Sequence, residues 1–136
     1  MEQHNEIGTK WDLAQYRLQT AKEDLECARD LYENENHRVA NNRAYYAIFH
    51  AISAIHALDG RAYHKHKDAI ANFNKDYVNK EIFPKEYGRK ILKAEKIRAS
   101  SDYDDFYVAS KAVTYELINT AEELLELIKE YIKTRE

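Results

Sequence analysis

Four residues do nearly all the punctuating in this chain. Gly8, Gly60, Gly88 and Pro84 are its only glycines and its only proline in 136 residues. Tight turns draw on these two residue types, so a sheet of many short strands has too few turns to draw on. A few long helices are the fold class that remains. The length suits one domain with a core of its own. A single cysteine, Cys27, rules out an internal disulfide framework and a cysteine-built zinc site. With no signal-peptide pattern and no bilayer-spanning apolar run, the expectation is a reduced, cytoplasmic protein without a membrane partner.

Charge is unevenly spread. The net charge is -3, yet residues 61–98 hold eleven Lys/Arg against five Asp/Glu. A basic centre between acidic ends suits an anionic ligand such as RNA or a nucleotide. It equally suits internal pairing with the acidic helices of the same fold, and both readings stay open.

Apolar periodicity predicts three long helices and about two shorter ones after an N-terminal tail at 1–9, with the bundle over 10–134. Thr9 and Asp12 resemble a capping box, and Ala14, Leu18, Ala21, Leu25, Ala28 and Tyr32 then repeat in steps of four and three. A second helix ends near Leu58, where Asp59 and Gly60 supply a left-handed stop. A short helix is expected from Tyr63 to about Phe73, and another from Pro84 through Ile91 and Ala94. "ASSDYDD" offers Ser101 or Asp102 as a new N-cap. The last helix is expected from about Asp105 almost to the end, with Ala109, Ala112, Leu117, Ala121, Leu124 and Ile128 inward.

The second helix carries the chemistry. In "NNRAYYAIFHAISAIHAL" (41–58), a helical wheel puts Tyr45, Ile48, Phe49, Ile52 and Ile55 on one core stripe. Arg43, Tyr46, Ala47, His50, Ala54 and Ala57 fall on the other side. Arg43 and His50 are seven residues apart and so differ by only about 20° around the axis. A helix apolar nearly all round is covered on both sides, and the alanines let another helix, a flat ligand or a second copy approach. A histidine here can take the proton of a ribose 2′-hydroxyl while an arginine holds the adjacent phosphate, which would cleave RNA without metal. A paired structural role accounts for the same two residues, because an Arg-x6-His spacing alone is weakly specific.

"NRAYYAIFHAISAIHAL", "HKDAIANF" and "KIRASSDYDD", in this order and spacing, resemble the HEPN family, in particular its small stand-alone prokaryotic members. The likeness covers about Trp11 to Tyr131. It implies an all-α, antiparallel up-down bundle that forms a homodimer. Many such proteins are metal-independent ribonucleases with an Arg-x4-6-His motif, often toxins; others pair with a small nucleotidyltransferase or bind nucleotides. The resemblance makes His50 the proton-transfer residue and Arg43 the phosphate holder, with Asn42 and Tyr46 positioning substrate. It implies no cofactor. Two positions depart from the pattern. Ala44 follows the arginine, where active members commonly carry a polar residue. Ile52 stands two residues after the histidine, where members modified by a nucleotidyltransferase carry tyrosine.

The resemblance also brings His66 toward a ligand phosphate and gives Arg98, Asp102 and Tyr103 as a further motif. Tyr103 is then a base-stacking or modified residue, or simply a packed one. His56, His64 and His66 have no cysteine or carboxylate at ligand spacing, so no metal site is expected.

Overall fold

The computed structural model describes the backbone of residues 2–135 and the side chains of residues 9–135. Its elements are α1 (Glu2–Glu33), α2 (His37–Leu58), α3 (His66–Phe73) with a π-helical turn at Asn74–Val78, α4 (Glu86–Tyr103) and α5 (Lys111–Lys133). No strand occurs among the described residues. The long helices alternate in direction, as cross-helix pairs show. Asp24 of α1 meets Arg43 and His50 of α2, whereas Lys10, earlier on α1, lies against Gly60 just past the end of α2. Arg29 reaches Glu122 at 2.8 Å while Tyr32 sits beside Tyr115, so α5 is antiparallel to α1. Lys90–Glu123 and Lys93–Glu116 set α4 antiparallel to α5.

α2 is the central helix and packs against α1, α4 and α5. Ile48, Ile52 and Ile55 are at most 1 % exposed, each contributing about 1.5–3 kcal/mol of burial. On the other face Ala47, Ala54 and Ala57 are buried as well. The helix that covers them is α1 of the same chain. Its own expected stripe of Ala14, Leu18, Ala21, Leu25 and Ala28 is buried to 8 % exposure or less. Small side chains on both sides are what let the two axes come close.

α2 stops as expected, with Gly60 at φ +77. Elsewhere local signals mislead. α1 starts at Glu2, so Thr9 lies inside the helix and is no cap. The short helix begins at His66 rather than Tyr63. Pro84 precedes α4, accepting from the Tyr87 N–H at 3.1 Å, instead of opening its first turn. The largest difference concerns "ASSDYDD". Ser101 and Asp102 do not cap the last helix; they form the final turn of α4, and α5 begins only at Lys111. Its cap is Ser110, whose hydroxyl accepts from the Val113 N–H at 3.1 Å. Ser101 is held in α4 by two bonds: its hydroxyl donates to the Ile97 carbonyl one turn back at 2.7 Å and accepts from buried Asn41 of α2 at 3.1 Å. The intervening segment is pinned by Arg38, which donates to the carbonyls of Ser101, Asp104 and Tyr107. Ala112, expected inward, is consequently exposed.

Basic residues of α4 are used partly within the fold, since Lys90 and Lys93 pair with the acids of α5. No described helix is long and apolar enough to cross a membrane.

Candidate functional site

Asp24 organises the polar face of α2. Its side chain is only 12 % exposed, and its two oxygens take one partner each. Oδ1 accepts from Arg43 Nη1 at 3.2 Å, and Oδ2 lies 2.8 Å from His50 Nδ1. A carboxylate can only accept, so the His50 proton sits on Nδ1 and the lone pair on Nε2, which has no protein partner among the described residues. His50 and Arg43 keep 28 % and 35 % of their side-chain surface exposed. The arrangement presents a fixed imidazole tautomer beside a guanidinium whose Nη2 is unspent.

Arg43 is held from a second side. Its Nε donates to Asn42 Oδ1 at 3.0 Å, and Asn42 Nδ2 donates to both oxygens of Asp102 at 3.0 and 3.2 Å. Asp102 also pairs with Arg98 one turn earlier on α4, at 3.6 Å. Arg98 lies over the Tyr45 ring at 4.9 Å. Burial, reinforced by Glu95, pushes Tyr45 up to about 12, so it stays a phenol. Its hydroxyl lies 3.1 Å from His66 Nδ1. Burial together with the positive Arg98 and nearby His50 lowers the His66 pKa, favouring the neutral ring. That ring stacks on Phe49 at 3.9 Å and meets the edge of Tyr46. Tyr46 returns the chain of contacts to its start, lying beside His50 and under Arg43 at 5.2 Å.

Six of the seven expected residues therefore meet: Asn42, Arg43, Tyr46, His50, His66 and Arg98 form one continuous cluster from α2, α3 and α4. Tyr103 does not join it. Although next to Asp102 in sequence, it turns outward at 75 % exposure, being one residue, or about 100°, further around α4. Tyr16 on α1, adjacent in register to the stripe of Ala14 and Leu18, is likewise 70 % exposed. Ala44 and Ile52 are both fully buried in the core. A polar group after Arg43 would have no water to meet there, and position 52 is closed to modification. No three His, Cys, Asp or Glu side chains among the described residues converge as metal ligands.

Asp24 escaped the sequence reading because it lies in an acidic run with Glu23 and Glu26. One signal pointed to it. It stands three residues after Ala21 and four before Ala28, which places it on the flank of a buried stripe.

Comparison with known proteins places the chain among relatives. A UPF0332 protein of Thermotoga maritima is 30 % identical over 127 residues, covering 93 % of this chain and 96 % of the relative. Candidate toxin MJ0605 of Methanocaldococcus jannaschii is 37 % identical over 86 residues, 63 % of this chain and 64 % of its own length. Candidate toxin MJ0142 of the same organism is 24 % identical over 115 residues, 85 % of this chain and 78 % of the relative. Residues 14–131, spanning the whole cluster from Asp24 to Asp102, match the HEPN domain, and the chain belongs to the HEPN family.

Proposed function

We propose that this chain is a HEPN toxin that cleaves RNA without a metal, at the face formed by Arg43 and His50. The observation that carries the reading is the Asp24 bridge, which fixes His50 with its basic Nε2 unpartnered beside a half-open arginine. His50 Nε2 takes the proton of a ribose 2′-hydroxyl. The 2′-oxygen attacks the neighbouring phosphorus as the bond to the 5′-oxygen breaks, and that oxygen takes a proton from water at the open face. The products are a 2′,3′-cyclic phosphate and a 5′-hydroxyl. Arg43 Nη2 binds the non-bridging oxygens as their charge grows. Asn42 positions Arg43 rather than touching substrate, since both ends of its amide are engaged. His66 and Arg98 supply further contacts to the strand, and the exposed Tyr103 offers a face for a base.

Two relatives named as candidate toxins support the toxin part of this reading. It carries with it a homodimer, in which a second copy adds its own Arg43 and His50 to the cleft, and a small nucleotidyltransferase as antitoxin. A second reading, binding of RNA or a nucleotide without cleavage, is favoured by one observation: Ala44 puts no polar group next to Arg43. Incubation with total RNA in EDTA separates the two. Wild type is expected to degrade RNA, whereas His50→Ala and Arg43→Ala are expected to lose at least about a hundredfold in rate. Equal decay in all three samples refutes cleavage at this face.

A further inference from the structure

A cavity of about 210 Å³ lies between the first half of α1, the C-terminal half of α2 and the segment entering α3. It is separate from the Asp24 bridge yet adjoins the cluster, because Phe49 and His66 line it as well. Its interior is aromatic. Phe49 and His66 stack on each other, and Tyr63 meets His56 edge to face at 4.8 Å. Arg61 at its edge is matched by Asp76. Arg17 is not matched: among the described residues it has no carboxylate partner, and its Nε is buried without an acceptor.

The second orphan is more telling. His56 is 2 % exposed, and its Nε2 lies 3.0 Å from the Ala69 carbonyl. A carbonyl can only accept, so Nε2 carries the hydrogen and Nδ1 the lone pair. Nδ1 is buried and meets no donor. Buried polar groups in native folds are normally satisfied, so a buried acceptor and a buried cationic donor on the wall of one cavity indicate an absent partner. That partner must be flat enough for an aromatic-walled space, give a hydrogen to His56 and bring negative charge to Arg17. A nucleobase with its phosphate has all three properties. Complete small-molecule sites run to roughly 300–1,000 Å³, so this cavity takes part of a ligand rather than a whole one.

We propose that this pocket is a second subsite, holding the base and phosphate of a nucleotide flanking the one cleaved at Arg43 and His50. The proposal rests on the RNA-cleaving reading, and it identifies the substrate as a single strand, since a paired base cannot enter. The ring enters along Phe49 and Tyr63, its exocyclic amine or ribose hydroxyl donates to His56 Nδ1, and its phosphate rests on Arg17. Phe49 and His66 form the wall shared with the cleavage cluster.

The test uses the full chain carrying His50→Ala, so that RNA binds without being cut. Fluorescence anisotropy with a labelled single-stranded RNA oligonucleotide is compared after adding Arg17→Gln or Ala62→Trp. The second variant places a bulky ring at the pocket wall on an exposed residue, and circular dichroism verifies both folds. Each is expected to weaken binding about tenfold. Nuclear magnetic resonance with AMP and CMP is expected to shift the amides of Ser53 and Tyr63, with inorganic phosphate leaving them in place. Unchanged RNA affinity in both variants overturns the proposal, as does phosphate moving those amides as far as the nucleotides do. Cleavage in the otherwise wild-type chain tells the two readings apart. RNA cut at the same rate with and without Arg17→Gln and Ala62→Trp sinks the subsite and leaves the cleavage reading standing. RNA left uncut, with nucleotides still bound in the pocket, supports the subsite and removes cleavage.

Discussion

Asn41 is fully buried, and its side chain joins three helices. Its Nδ2 donates to Ser101 Oγ of α4 at 3.1 Å, and its Oδ1 accepts from Thr114 Oγ1 of α5 at 2.7 Å. Asn41→Ala removes both bonds, each worth about 0.5–1.5 kcal/mol net, and leaves a small cavity costing up to about 1 kcal/mol. The stranded hydroxyls escape the full penalty of an unpaired buried group. Ser101 keeps the Ile97 carbonyl at 2.7 Å, and Thr114 can turn wholly to the Ser110 carbonyl at 3.1 Å. The expected loss is therefore about 2–3 kcal/mol, below the worst cases for buried polar groups. At about 4 °C per kcal/mol for a domain of this size, the melting temperature falls by roughly 8–12 °C. Thermal and urea unfolding followed by circular dichroism measure it. Lys93→Ala serves as the control, breaking an exposed pair to Glu116 worth no more than about 0.5 kcal/mol. A shift for Asn41→Ala below about 3 °C, or one no larger than the control's, refutes the view that this network ties α4 and α5 to α2.

Two further predictions follow from single side chains. Arg38→Lys replaces a fork that serves three carbonyls with a single ammonium, so residues 104–110 should loosen. Chymotrypsin cutting at Phe106 and Tyr107 should then speed up roughly tenfold, with the helices still intact by circular dichroism; unchanged cutting would show that Arg38 does not hold the segment. Stability should also depend on pH through His56, whose burial holds its pKa below the ordinary histidine value. Below about 6.5 the unfolded chain gains a proton that folded His56 refuses, so stability is fully present above that pH and is lost as pH falls. Melting temperatures between pH 7.5 and 5.5 should decline less in His56→Gln than in wild type, and parallel declines would assign the effect to other groups.

The helices were legible in sequence wherever apolar residues repeat at helical spacing, as along α1 and α2. Both sides of those interfaces depend on a periodicity that a single strand of sequence displays. What could not be read is where tertiary bonds outbid local ones. Ser101 and Asp102 carry the composition of a cap, yet Asn41 and Asn42, sixty residues away, take their side chains and keep α4 going to Tyr103. The site divides in the same way. Arg43 and His50 share a face that the wheel displays. Asp24, which gives His50 its tautomer, is an acid among acids, and only its register against Ala21 and Ala28 marks it. Tyr103 shows a second limit: belonging to a stretch that resembles a motif does not fix which way a helix turns its side chains, and at 75 % exposure it stands apart from the cluster.

The same face that closes the fold holds the candidate site, and this constrains both. Charged groups this close to a core are tolerated only with partners. The partners here come from other helices: Asp24 from α1 and Asp102 from α4. Neither Arg43 nor His50 can be held in place by α2 alone, because both are anchored on α1, and Arg43 reaches α4 only through the amide of Asn42. The cluster thus exists only when three helices are docked, and its precision depends on whatever fixes the end of α4. That end is fixed by Asn41, the residue immediately before Asn42. An Asn41 variant that stays folded at assay temperature should therefore lose RNA cleavage as well as stability, whereas a comparably destabilising cavity on α5 remote from Thr114, such as Ile132→Ala at buried Ile132, should lose stability alone.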